Sequence, residues 1–176
     1  MFEKDYRFWG EHAEMVDSML IENGGIFDTV YDAFFSAALI GILEGKKSKA
    51  YGDRNKHKTI FADKFNNERE KTNLILKTML LNDNMELKGK NDEKVDRSFR
   101  NFATDETTKK MNIKFLEAYA FAGIETLYKT YNEEFLSKDK NKVEIINFIE
   151  NFMKLYANEN EGYQDTRKKI IDMARR

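Results

Sequence analysis

Apolar residues recur at helical spacing along most of this chain, and two segments are apolar on more than one side. Residues 31–43 are apolar at nearly every position, which predicts a helix surrounded by other helices. Residues 108–136 carry a second broad apolar face. Both segments mix Ala and Gly with bulky side chains, so we expect two central helices that approach closely where they cross.

Four further helices are predicted around this pair. Their approximate positions are residues 3–22, residues 60–81, residues 93–103, and a helix with a clear apolar stripe that begins at Asn141. Thr29, followed three residues later by Asp32, predicts the start of the first central helix, and Gly45 predicts its end. The tail, residues 163–176, is expected to form a last short helix or to fray.

No stretch of useful length alternates apolar and polar residues as a strand does, and no linker rich in Pro, Gly or Ser divides the chain. Proline, the strongest helix breaker, is absent from all 176 residues. The sequence therefore predicts an all-α fold. We expect a compact bundle of about six helices with two central apolar helices, in a single domain over residues 1–176.

Composition narrows the functional classes. Lys and Arg number 30 against 31 Asp and Glu, so the whole chain lacks the charge excess of a nucleic-acid or membrane binder. The absence of cysteine and the presence of only two histidines leave no disulfide, no thiolate nucleophile and little for a zinc site. The acidic start of the chain, residues 1–5, and the lack of a long apolar run predict a cytoplasmic protein without a membrane span. We predict no cofactor and no metal site.

The sharpest local charge bias is at residues 46–58, which we call the basic loop. It contains six basic residues against one acidic residue, Asp53, with Tyr51 and His57 interleaved. The candidate nucleic-acid-binding residues are Lys46, Lys47, Lys49, Tyr51, Arg54, Lys56 and Lys58. Either the cations contact phosphates of DNA or RNA while Tyr51 stacks on an unpaired base, or the segment is a solvated connection between helices.

No residue set in the sequence indicates catalysis. His12 and His57 are far apart, and we expect His12 to be a surface or boundary residue of the first helix. Asp28 with Asp32 could serve as an acid/base pair, but negative charge at these positions also suits a helix N-terminus. We therefore predict no catalytic residues, and a small carboxylate-dependent enzyme stays as an alternative.

Aromatic residues are numerous for one modest core. They either fill a tightly packed helical interior or form an exposed surface for a protein partner. The residues concerned are Phe34, Phe35, Phe99, Phe102, Tyr119, Phe121, Tyr128 and Tyr131.

Two short patches of the chain resemble a known group of proteins. The patches are Gly25-Ile26-Phe27 with Tyr31, Phe34-Phe35, Ala37-Ala38 and Gly41, and, far downstream, Ala122-Gly123-Ile124-Glu125. In these patches the chain resembles small helical accessory proteins encoded beside bacterial DNA phosphorothioate-modification and related phage-defence systems. The resemblance implies an accessory role in a DNA-directed defence assembly, and it brings no catalytic residue with it.

The preferred hypothesis is a non-catalytic helical interaction module that acts as an accessory subunit of a larger bacterial assembly. Its partner is expected to be another protein or a second copy of itself in a homo-oligomer. The first alternative is a direct DNA- or RNA-binding protein that uses the basic loop. The second alternative is the carboxylate-dependent enzyme.

Overall fold

The described part of the chain is mostly helical and contains one small antiparallel sheet. The structure is a computed structural model, and it describes residues 2–83, 89–102 and 104–134. In chain order its elements are β1 (Tyr6–Trp9), α1 (Glu11–Ser18), α2 (Val30–Glu44), β2 (His57–Ile60), α3 (Ala62–Asn67), α4 (Arg69–Leu81), α5 (Asn91–Val95) and α6 (Glu106–Glu134). A 3₁₀ turn, Ile21–Asn23, follows α1, and a π-helical turn, Asp96–Arg100, continues α5. The prediction of a helical fold with about six helices is confirmed for these ranges.

The chain divides into two compact units, residues 1–132 and residues 133–176. Nearly all of the second unit lies outside the described residues, so the architecture is that of the first unit. The predicted helix that begins at Asn141 and the predicted tail, residues 163–176, also lie outside the described residues. A single domain over residues 1–176 stays a prediction.

Helix α2 begins and ends where its sequence predicts. The Thr29 side chain accepts a hydrogen bond from the Asp32 N–H at 3.1 Å, and its hydroxyl donates to the Asp32 carboxylate at 2.6 Å. This reciprocal pair satisfies a backbone donor that the first turn of the helix leaves without a partner. Gly45 ends the helix in the left-handed region at φ 62°, where a residue without a Cβ carries no steric penalty.

Helices α2 and α6 cross with their backbones in contact. A Cβ at Gly41 would overlap the carbonyl oxygen of Tyr119, and a Cβ at Gly123 would overlap the carbonyl oxygen of Ala37. Each helix thus places a glycine where the backbone of the other passes. The predicted close approach of the two central helices is confirmed.

Aromatic side chains from several elements pack around α2. The ring of Phe34 lies 5.3 Å from that of Tyr6 and 5.2 Å from that of Phe8, which anchors β1 on the helix. Most of the aromatic residues singled out in the sequence are core residues, whereas Phe99 is 57% exposed. The buried ones are Phe34, Phe35, Tyr119, Phe121 and Tyr131.

The prediction of a first helix over residues 3–22 is wrong at its start. Residues Tyr6–Trp9 form β1, which pairs antiparallel with β2 so that Tyr6 lies opposite Ile60 and Trp9 opposite His57. Gly10 follows at φ 78°, outside the helical region, and its N–H donates to the Lys56 carbonyl at 2.8 Å. The helix therefore begins only at Glu11, because the pairing with a distant segment decides the conformation of the preceding residues.

Two other predicted helices are interrupted. The helix expected over residues 60–81 is divided into α3 and α4 at Glu68, whose ψ of 23° breaks the helical path. Asn66 and Asn67 precede this break, and asparagine side chains compete with helical hydrogen bonds. The helix expected over residues 93–103 becomes α5 and a π-helical turn, and Ala103 lies outside the described residues. The spacing of apolar residues in the sequence reveals neither the break at Glu68 nor the π-helical turn.

Replacing Gly123 by alanine tests the crossing of α2 and α6. In an open helix this change favours folding by about 0.5–1 kcal/mol, because alanine restricts the unfolded chain. At this crossing we expect Gly123→Ala to lower the free energy of unfolding by about 1–3 kcal/mol, since the new methyl group meets backbone that cannot rotate away. Urea unfolding followed by far-ultraviolet circular dichroism measures the change.

The matched control for this substitution is Leu43→Ala. Leu43 lies on α2 and is 67% exposed, so its truncation is expected to change the free energy of unfolding by no more than about 0.5 kcal/mol. A stabilised Gly123→Ala protein would contradict the contact between the two backbones.

Candidate functional site

The six cations of the basic loop fall into two groups. Three are ion paired with carboxylates: Lys46 with Glu44, Lys56 with Glu14, and Lys58 with Asp17. These carboxylates belong to α1 and to the end of α2. Exposed pairs of this kind contribute only about 0–1 kcal/mol to stability, but they neutralise charge that a ligand would otherwise meet.

The other three cations of the basic loop have different surroundings. Lys47 lies over the ring of Tyr119, 4.9 Å from its centroid. The guanidinium of Arg54 covers the ring of Trp9 at 4.8 Å. Lys49 is exposed and forms no ion pair with any carboxylate of the described residues. The loop is therefore not a uniform cationic surface.

An open groove of about 440 Å³ lies between β1, the basic loop and α6. Each of these three elements contributes one cation to its lining: Arg7, Lys49 and Lys114. Trp9 and Phe121 are among its apolar lining residues. The structure thus brings Lys49 together with two cations that the sequence analysis did not select.

The lining of this groove carries a net positive charge. Arg7, Lys49 and Lys114 are exposed, and none is ion paired within the described residues. The one carboxylate among the described lining residues, Glu117, accepts a hydrogen bond from the Tyr6 hydroxyl at 2.8 Å. Burial, together with the charge of Glu117, raises the pKa of Tyr6 well above its usual value, so this hydroxyl remains a donor. Three cations against one carboxylate leave a net charge of +2.

The outer face of the two-stranded sheet adjoins the groove. In the antiparallel register Trp9 lies opposite His57, and Arg7 lies opposite Thr59, so these side chains share one face. The alternate residues of β1, Tyr6 and Phe8, point the other way, onto Phe34. The outer face therefore presents two aromatic rings beside cations, which is the side-chain combination that binds the bases and phosphates of nucleic acids.

Sequence reasoning missed Arg7, Trp9 and Lys114. Arg7 belongs to no cluster of like charge, Lys114 only follows Lys109 and Lys110 along α6, and the fold alone brings Arg7 and Lys114 to one surface. A weak signal was present in the alternation of Tyr6-Arg7-Phe8-Trp9, since a strand would place Arg7 and Trp9 on one face. Nothing in the sequence distinguishes Lys114 from the other lysines of α6.

His12 contacts Tyr51 of the basic loop and is fully buried, so its expected position at the surface or at the boundary of the core is wrong. Its Nε2 lies 3.0 Å from Glu125 Oε1, and the Ser48 hydroxyl donates to the same oxygen at 2.6 Å. The imidazole ring stacks on Phe121 at 4.6 Å, and the ring of Tyr51 contacts it edge-on at 4.8 Å. One histidine thus joins α1, the basic loop and α6.

The surroundings of His12 favour its neutral form. Burial lowers the pKa of His12 below its ordinary value of 6.5, although the hydrogen bond to Glu125 and the charges of Glu125 and Glu11 act in the opposite direction. Its Nδ1 has no hydrogen-bond partner among the described residues. A proton placed on Nδ1 would therefore be a buried donor without an acceptor there.

The remaining sequence candidates lie outside the groove. Tyr51, which was predicted to stack on a base, is 44% exposed but does not line the groove. Asp32, considered as half of an acid/base pair, is held by the Thr29 hydroxyl and by an ion pair with Lys71 at 3.2 Å.

Within the described ranges no group of three or more His, Cys, Asp or Glu residues is arranged to hold a metal ion. The helices of these same ranges include none with the length and apolar character to cross a bilayer.

The burial of His12 predicts a loss of stability on acidification. In the unfolded chain His12 titrates near its ordinary pKa, whereas the folded chain holds this pKa lower. Below about pH 6.5 the unfolded chain therefore binds more protons, and the free energy of unfolding falls with pH by up to about 1.4 kcal/mol per pH unit. The fall ends once the pH is below the pKa in the folded state. Urea unfolding over a series of pH values measures it.

Two glutamine variants isolate this contribution. His12→Gln keeps a donor toward Glu125 but cannot titrate, so we expect this part of the pH dependence to disappear. His57→Gln is the matched control, because His57 is exposed in the folded chain as in the unfolded one. An unchanged pH profile for His12→Gln would show that the buried histidine does not cause the effect.

Comparisons with known proteins assign this chain to no family. No family model matches the chain, and neither a curated protein nor a solved structure matches it. We therefore infer the function from the groove and its surrounding residues.

Proposed function

We propose that this protein is a non-catalytic binding module whose ligand is a nucleic acid, held by its phosphates in the groove between β1, the basic loop and α6. The observation that carries this proposal is the meeting of Arg7, Lys49 and Lys114 on one concave surface, each exposed and without an ion pair in the described part of the chain. Such cations contact phosphates and release the condensed counterions without first breaking an intramolecular pair. The proposed site therefore shares Lys49 with the predicted loop and adds two residues from elsewhere.

The paired cations of the basic loop have a different role in this proposal. Lys46, Lys56 and Lys58 would have to exchange a carboxylate for a phosphate, so the gain in charge neutralisation is small. We assign them to holding the loop against α1 and α2. This division makes the proposal testable, because Lys49 and the three paired lysines belong to the same thirteen residues but differ in their surroundings.

The aromatic residues beside the groove favour nucleic acid over an acidic protein segment. A polypeptide rich in Asp and Glu would satisfy the same cations but would make no particular use of Trp9 and His57. Bases stack on aromatic side chains regardless of sequence, and such stacking is worth about 1–3 kcal/mol per base. Charge and aromatic surface together therefore suit a ligand that carries both phosphates and planar rings.

Three phosphate contacts support only modest affinity. Non-specific binding to DNA has dissociation constants of about 10⁻⁴ to 10⁻⁶ M, and it weakens steeply with salt. A module of this strength gains from a second contact supplied by a partner, which raises the effective concentration of the ligand. This fits an accessory subunit that works in the cytoplasm with a protein partner or as a homo-oligomer. The defence assembly implied by the resemblance stays a prediction.

Removing the groove cations tests the proposal. We expect Arg7→Gln, Lys49→Gln and Lys114→Gln together to weaken binding of a fluorescein-labelled oligonucleotide at least tenfold at low salt. The slope of log affinity against log salt concentration should fall by about 2–3, since each lost phosphate contact removes about 0.7–0.9 from it. Fluorescence anisotropy at several salt concentrations gives both quantities.

The matched control removes the same number of charges from the paired group. Lys46→Gln, Lys56→Gln and Lys58→Gln together should change the salt slope by less than about 1, because these side chains already have carboxylate partners. Equal losses of affinity in the two triple variants would indicate that the whole basic loop, and not the groove, is the binding site. Wild-type protein that fails to bind any nucleic acid at low salt would end the proposal.

Removing the carboxylate of the groove should strengthen binding. Glu117→Gln keeps an oxygen that accepts the Tyr6 hydrogen bond but removes the negative charge that opposes a phosphate. We expect about threefold tighter binding at low salt and a loss of this gain as salt screens the charge. Glu22→Gln, at an exposed carboxylate outside the groove lining, is the control and should leave the affinity unchanged. Unchanged or weaker binding by Glu117→Gln would contradict a phosphate in this groove.

A further inference from the structure

We infer that the groove and the adjoining sheet face take an unpaired nucleic-acid strand, with one base stacked on Trp9 and the neighbouring phosphates held by Arg7, Lys49 and Lys114. This inference rests on the proposed function and adds the class of nucleic acid. Its support comes from the shape of the site, from the arrangement of the rings and from the exposed guanidinium on Trp9.

The shape of the site suits a single strand. Its volume of about 440 Å³ lies in the range of about 300–1,000 Å³ that encloses one small organic ligand, which is the scale of one nucleotide. Proteins that read duplex DNA insert a convex helix or a two-stranded ribbon into the major groove. In this protein the cations line a concave surface, so the ligand must enter the protein. An unpaired nucleotide can do so, whereas a paired base is held inside the duplex.

The rings beside the groove are arranged as a stacking platform. Trp9 and His57 are cross-strand neighbours on the outer face of the sheet, and Arg7 is next to Trp9 on the same face of β1. Stacking platforms for single strands combine such rings with a cationic path for the backbone. An extended strand can therefore place a base on the sheet while its adjacent phosphates reach the groove.

The position of Arg54 marks the ring face that a base would use. Its guanidinium, a flat delocalised cation, covers the indole ring of Trp9 at 4.8 Å. Arg54 is itself exposed and makes no ion pair within the described residues, so its displacement by a base breaks no salt bridge. The displaced guanidinium then lies close to the strand and can contact a phosphate.

The intrinsic fluorescence of the protein reports on this site directly. Trp9 is the only tryptophan of the chain, so emission from indole comes from one position. A base stacked on the ring quenches this emission. We expect a twelve-nucleotide oligothymidine to quench it in a saturable manner, while heparin and a hairpin duplex of equal charge leave it nearly unchanged. The measurement uses the full wild-type chain and needs no variant.

Variants at Trp9 test the same inference by affinity. Trp9→Leu should weaken binding of the single strand about tenfold and leave binding of the duplex within about twofold. Trp9→Phe keeps an aromatic ring and should restore most of the single-strand affinity, which guards against a misfolded leucine variant. Tyr51→Leu is the control: this ring is 44% exposed but lies outside the groove lining, and its loss should leave the single-strand affinity unchanged.

Each outcome of this experiment supports or removes a stated idea. Quenching by the single strand, with a loss of affinity confined to Trp9→Leu, supports the inference. Equal binding of single strand and duplex, with no quenching and no effect of Trp9→Leu, would overturn it while leaving the proposed nucleic-acid function intact. Binding of polyglutamate but of neither nucleic acid would remove both and would favour an acidic protein partner.

Discussion

The crossing of α2 and α6 at their glycines is the contact on which the rest of the described structure depends. Because Gly41 and Gly123 let the two backbones meet, the chain that leaves α2 at Gly45 runs directly along α6. There the Ser48 N–H donates to the Ala118 carbonyl at 2.8 Å. Lys49 is therefore delivered to the same surface of α6 as Lys114, and one wall of the groove follows from a contact between helices.

The opposite wall depends on a second close approach. A Cβ at Gly10 would overlap the carbonyl oxygen of Tyr51, so the turn between β1 and α1 lies directly against the basic loop. The buried imidazole of His12 extends this contact inward by joining α1 to Glu125 of α6 and, through the same carboxylate oxygen, to Ser48. The position of the groove is thus set by backbone contacts and one buried polar cluster rather than by its own cations.

The sequence predicted what local patterns control. The apolar body of α2, its Thr29 cap and the small residues at the crossing were all visible, because each acts on its own neighbourhood in the chain. The strand β1 was not predicted, since its four residues carry only a weak pattern and become a strand by pairing with residues about fifty positions away. The site was predicted only at Lys49. Clustering of charge in the sequence located the basic loop. It did not reveal which cations of this loop would be neutralised by carboxylates of α1 and α2.

Segregation of charge explains how a nearly neutral chain can offer a site for an anion. The formal net charge is −1, yet the groove lining has a net charge of +2, because Glu14, Asp17 and Glu44 pair with lysines that do not line the groove. Few free cations mean that charge alone gives weak, unselective binding at physiological salt. Selectivity must then come from a group that salt does not screen. The aromatic face of the sheet is that group in the described structure, and stacking is the interaction that it provides.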